Sequence, residues 1–116
     1  MSVTERPMRL ELHEDIIVNV VNCEAEPLLA NAQLSAKTID VSASGMKVWL
    51  YVPVPQRTQV TLDMPGAGDL RLEGEVRWME ESGEIRVGVL IDEHSEDFPA
   101  WRERFSHAVE SSTVVH

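Results

Sequence analysis

Between Asp69 and Trp78 the side chains alternate without a break. Leu70, Leu72, Val76 and Trp78 fall on one face, with Gly74 among them, and Arg71, Glu73, Glu75 and Arg77 fall on the other. A period of two over that length excludes an amphipathic helix, whose period of 3.6 would spread both classes around its circumference. It demands a strand with one dry face and one wet face, and a dry face must be covered by another layer. Glu81-Ser82-Gly83-Glu84 is a hairpin turn, and Ile85–Ile91, rich in β-branched residues, returns as the partner strand.

The same reading extends toward the N-terminus. Ile16–Asn22 is a β-branched run and a first strand. Glu24–Gln33, interrupted by Pro27, is a loop or bulged edge. Ala36–Val41 and Met46–Tyr51 flank a turn at Asp40–Gly45, and Pro53 and Pro55 then end pairing, because proline has no N–H to donate. Gln59–Met64 is the next strand, closed by Pro65-Gly66-Ala67-Gly68. After Ile91 the period changes. Phe98, Trp101, Phe105 and Val109 recur at helical spacing, with Ser95 placed as an N-cap and Glu96 and Asp97 at the positive end of the dipole. A helix is expected over Glu96 to about Val109, its aromatic stripe on the sheet.

About six short antiparallel strands and one terminal helix in 116 residues imply an all-β fold, a small barrel whose helix covers one opening or edge. A single domain over residues 1–110 is expected, with 1–14 a flexible N-terminal arm and 111–116 a frayed tail.

Ten Lys and Arg stand against twenty Asp and Glu, a formal net charge of −10. Such a chain is repelled by duplex DNA and anionic membranes, which are bound through clustered cations. An oligonucleotide-binding barrel is disfavoured for the same reason, since basic and aromatic residues are not interleaved. No apolar run approaches the ~18–20 residues that span a bilayer, and the polar start Met-Ser-Val-Thr-Glu-Arg is no signal peptide, so the expected location is the cytoplasm. The lone Cys23 allows no internal disulfide and reads as a free thiol. His13, His94, His107 and His116 are scattered without metal-ligand spacing, so no metal or other cofactor is expected. Glu80-Glu81 and Glu96-Asp97 fall at a turn and a helix start, and neither a nucleophile triad nor a phosphate loop is present. Enzyme activity is not expected.

The turn Asp40-Val41-Ser42-Ala43-Ser44-Gly45 reads in two ways. Asp and Ser bond local backbone and Gly tolerates positive φ, which accounts for a hairpin. A carboxylate, a hydroxyl and a bare backbone at one strand end also form a pocket lip, able to accept hydrogen bonds from a ligand's N–H groups and to admit a flat ring. The spacing Asp-x-Ser-x-x-Gly, followed by Met46-Lys47-Val48, resembles the signature of the PilZ domain family, bacterial receptors for cyclic di-GMP. Gly74-Glu75-Val76-Arg77-Trp78 and Val87-Gly88-Val89 resemble that family's later strands, and the likeness runs from about Arg6 to Phe105.

The resemblance implies a six-stranded antiparallel barrel with a C-terminal helix, and a cyclic di-GMP site made of Asp40, Ser42 and Gly45 closed over by two arginines. In the family these arginines are four residues apart. Here Arg6 and Arg9 are three apart, with Pro7 between them, and Glu5 and Glu11 flank them. Lys37, Lys47 and, more weakly, Arg77 are further cations near the expected ligand face. For each the plainer role is a solvated charge, as it is for Arg6 and Arg9. Trp49 and Tyr51 lie opposite Met46, Val48 and Leu50, where packing under the helix, a partner surface or a ligand would each use them. Two functions follow as expectations. One is a stand-alone receptor that relays cyclic di-GMP binding to an effector protein in trans. The other is a PilZ-fold adaptor without nucleotide binding, in motility or surface-attachment machinery. A salt-rich habitat is a further reading of the acidity.

Overall fold

The computed structural model describes residues 9–113. Its elements are β1 (Leu10–Glu11), β2 (Asp15–Asn22), β3 (Gln33–Val41), β4 (Gly45–Leu50), β5 (Gln59–Met64), β6 (Leu70–Ser82), β7 (Glu84–Ile91) and α1 (Phe98–Thr113). All pairings are antiparallel, and they close a ring of six strands: β2–β3–β4–β7–β6–β5 and back to β2. Closure leaves no long free edge, which suits strands this short.

Alternation carries through the ring. Ile16 and Val18 of β2, Met46, Val48 and Leu50 of β4, Val60, Leu62 and Met64 of β5, Leu72 and Val76 of β6, and Val87, Val89 and Ile91 of β7 all belong to one core. Truncating a fully buried member such as Leu62 or Leu72 to alanine costs about 2–5 kcal/mol.

β1 and β2 run along the same side of β3 with a break at residues 12–14. Buried Thr38 closes that break. Its Oγ1 donates to the Leu12 carbonyl at 2.6 Å and accepts from the Glu14 N–H at 2.8 Å, while its own N–H reaches the Glu14 carbonyl at 2.9 Å. The segment Leu10–Glu14, expected from sequence to be part of a flexible arm, is therefore bonded along β3. Arg104 of α1 adds an ion pair to Glu14 at 2.5 Å.

The helix closes the barrel end at the β3–β4 turn. Trp101 and Phe105 are buried in the common core, and the Trp101 indole donates to the Ala43 carbonyl at 3.0 Å. α1 starts at Phe98, two residues later than expected, and Ser95 is not its cap. The first helical bond runs from Trp101 N–H to the Asp97 carbonyl. Ser95 is instead buried against β6, accepting from the Glu73 N–H at 2.9 Å and donating to the Asp92 carbonyl at 2.7 Å. An amide at the end of a sheet ladder needed an acceptor, and the hydroxyl supplies it. Among the described residues no helix is long and apolar enough to cross a membrane.

Candidate functional site

An unbroken β3 would bury Asp40, because Ala36 and Thr38 already face the core. The pairing shows why it does not. Thr38 lies opposite Val48 and Asp40 opposite Lys47, so Ile39 is an extra residue, a bulge that shifts the phase of the strand. Asp40 is thereby turned outward and Val41 inward.

From Asp40 a row of cross-strand neighbours crosses the outside of the barrel: Glu11, Asp40, Lys47, Gly88 and Trp78. Arg9 donates to Asp40 Oδ1 from Nε at 2.9 Å and from Nη2 at 2.5 Å. Lys47 Nζ is 3.7 Å from the other carboxylate oxygen and 5.8 Å from the Trp78 ring centroid. The Trp78 indole packs directly against Gly88: a β-carbon at Gly88 would fall 2.2 Å from the indole nitrogen. Only glycine lets the ring rest on β7. The row thus combines an acceptor carboxylate, two cations and an aromatic face.

The turn beside it is locked from within. Ser42 N–H donates to the Gly45 carbonyl at 2.8 Å, and the nearly buried Ser42 hydroxyl reaches the same oxygen at 3.3 Å. The Ser44 carbonyl accepts from Ile91 N–H, and the Ala43 carbonyl from Trp101, so β7 and α1 both hold the loop. Gly45 does not have positive φ; among the described glycines only Gly68 and Gly83 do. Its requirement is proximity, since a β-carbon there would stand 2.7 Å from the Val89 carbonyl oxygen.

Of the residues singled out from sequence, Arg9 and Asp40 are in contact, and Ser42 and Gly45 shape the adjoining turn. Arg6 lies outside the described residues. Lys47 belongs to the row. Lys37 pairs with Asp15 at 3.7 Å and sits opposite Trp49 in the next outward row, while Arg77 is 3.9 Å from Glu75. Trp49 is not packed under the helix but stacks on His13 with centroids 5.7 Å apart, and Tyr51 is exposed. Alternation places Trp78 on the dry face, yet it is 40% exposed. A second bulge explains this: Val76 faces Val89 and Trp78 faces Gly88, leaving Arg77 unmatched. The signal available in the sequence was Gly88, a strand glycine that makes room for a ring.

The model of the PilZ domain family matches residues 11–105. The chain belongs to the PilZ domain family. PilZ domains are cyclic di-GMP receptor or adaptor modules, and no catalytic family is indicated. Arg6 and Arg9 precede the matched span. Comparison with curated proteins finds no match. Among solved structures, this PilZ domain is similar to the Bacillus subtilis inhibitor of motility (MotI/DgrA), with a TM-score of 0.67 and 12% identity over 97% of this chain and 55% of that one. It is similar to Escherichia coli YcgR in complex with c-di-GMP, with a TM-score of 0.65 and 15% identity over 94% of this chain and 47% of that one. The isolated PilZ domain of YcgR with c-di-GMP gives 0.63 and 14%, over 97% of this chain and 100% of that one. At these identities the likeness is one of fold, and the chain spans about half the length of the first two.

Proposed function

We propose that this PilZ domain binds cyclic di-GMP along the row from Arg9 to Trp78 and relays its occupancy to a partner protein in trans. The observation that carries the reading is the Asp40 carboxylate, turned outward by the Ile39 bulge and held between Arg9 and Lys47 beside the flat face of Trp78. The ligand presents two phosphates, two guanine rings and their N–H donors. Phosphates call for cations, N–H donors for a carboxylate, and rings for an aromatic or guanidinium plane. Guanine N–H groups compete for Asp40 and release Arg9 toward phosphate or base. Arg6 supplies the second arginine in this reading. The signal is the movement of Arg9 and the segment that carries it, which alters the surface offered to the partner. Two of the similar structures contain c-di-GMP, which supports the ligand, and the other is an inhibitor of motility, which points to that machinery as the output.

Calorimetric titration tests the ligand. Saturable heat is expected, with Arg9→Ala weakening binding roughly tenfold or more, as for loss of a charge-assisted hydrogen bond. Absence of heat at high-micromolar ligand would overturn the receptor reading. The adaptor reading is favoured by the spacing of Arg6 and Arg9, three apart where the family pattern has four, and by the pairing of Arg9 with Asp40, which occupies both groups. It predicts that a captured partner is indifferent to added cyclic di-GMP.

A further inference from the structure

A concavity of about 430 Å³ crosses β2, β5, β6 and β7, and none of Arg9, Asp40, Ser42, Lys47 or Trp78 lines it. Two exposed aliphatic side chains, Val21 at 55% and Leu90 at 42%, lie in it. Val21 faces outward in the ordinary alternation of β2, after buried Val20, and it has no partner on β5, since Val20 faces Val60 and Asn22 faces Gln59 in a third bulge. Leu90 is open because its neighbour on β4 is Gly45, which has no side chain to cover it. The lining also carries four carboxylates, Glu73, Glu75, Asp92 and Glu93. Among the described residues the one ion pair made by these four is Arg77 to Glu75, at 3.9 Å.

We infer that this concavity docks a basic segment of a partner protein, one in which Lys or Arg residues flank an aliphatic side chain. Carboxylates grouped around an apolar floor focus a negative potential that attracts cations and repels nucleotide phosphates and anionic lipid. The aliphatic side chain fills the floor and displaces water from Val21 and Leu90, while the cations meet the carboxylates. That arrangement, an apolar centre inside a charged rim, is the anatomy of a binding patch. The proposal stands independently of the nucleotide reading, since its test contains no nucleotide.

The probe is a short peptide, Gly-Lys-Leu-Arg-Leu-Lys-Gly with blocked ends, titrated into the isotope-labelled protein and followed by amide chemical shifts. Shifts are expected to cluster at Val21, Gly74, Leu90 and Asp92. The double variant Glu73→Gln with Asp92→Asn should weaken binding by roughly fivefold or more, whereas Glu81→Gln with Glu103→Gln, an equal charge change on other exposed positions, should leave it within about twofold. Replacing both leucines of the peptide by serine, or Leu90→Thr in a protein whose amide spectrum stays dispersed, should also weaken it. Shifts spread over the whole acidic surface, equal effects of the two charge variants, or no shifts at all would overturn the proposal.

Discussion

Asp40 holds two cations, and neither contact is strong. Arg9 is 48% exposed and Asp40 22%, so their ion pair is screened and contributes ~0.2–1 kcal/mol to stability. A weak pair is easily exchanged for a ligand. Arg9→Ala is therefore expected to lower unfolding free energy by less than about 1 kcal/mol in a urea titration while removing most nucleotide binding. A loss of several kcal/mol would mark the pair as structural. Gly45 behaves in the opposite way. Its missing β-carbon faces backbone, which cannot swing aside, so Gly45→Ala should cost about 1–3 kcal/mol in the same measurement. The sequence gives Gly45 a turn role through its tolerance of positive φ, whereas the structure requires glycine there because the backbone of β7 stands so close. Close approach to β7 is a property of the pairing, and it is invisible until the partner strand is known. Asp63 is a third case. Its carboxyl is held below its ordinary value of 3.8, chiefly by the Arg71 guanidinium and also by the Asn19 amide, against the opposing effect of burial. Its stabilising contribution is present above the unfolded-state value and is lost as pH falls through the lower, folded one. Asp63→Asn should flatten the stability–pH curve below pH ~4, read from denaturant midpoints at successive pH values.

At the scale of the strands, turns and alternation were legible because they depend on local residue types: the β5–β6 and β6–β7 connections fall where Pro65–Gly68 and Gly83 stand. The bulges at Val21, Ile39 and Arg77 were not, since a bulge exists only relative to what lies opposite. Two of them turn a residue outward onto the row, Asp40 after Ile39 and Trp78 after Arg77, while the one at Val21 turns the following Asn22 outward beside the concavity. The strand Thr38-Ile39-Asp40-Val41 did contain a hint, since strict alternation from Ala36 would have buried a carboxylate. The Arg77 bulge makes a sharp prediction. Deleting Arg77 leaves Val76 opposite Val89 and Trp78 opposite Gly88, so a folded barrel with Trp78 still facing water is expected. Deleting Glu75 is different. Restoring the pairing of Trp78 with Gly88 then moves Arg77 into the core position of Val76, an unpaired buried charge. Thermal denaturation followed by circular dichroism should show a cooperative transition for the first deletion and none for the second. Two cooperative transitions would mean that register is set elsewhere.

For the molecule as a whole, charge opposes compactness. A net charge of −10 is confined to a body of 49 × 36 × 27 Å. At ~0.01 M salt the Debye length of ~30 Å lets most of these charges repel one another, whereas at ~0.15 M it is ~8 Å and only neighbours interact. Salt also weakens the attractive pairs, but Arg9–Asp40, Lys37–Asp15 and Arg86–Glu80 each have a partner that is about half-exposed or more, and they have little to lose. Relief of long-range repulsion therefore outweighs loss of local attraction. The melting temperature is expected to rise by a few degrees between ~0.01 and ~0.15 M sodium chloride. The basic peptide bound at the concavity should respond with the opposite sign, because its attraction to Glu73 and Asp92 is screened by the same ions. Calorimetry and peptide titration over one salt series read both. A melting temperature that falls with salt would show that the surface ion pairs, and not the excess of carboxylates, dominate the electrostatics of this barrel.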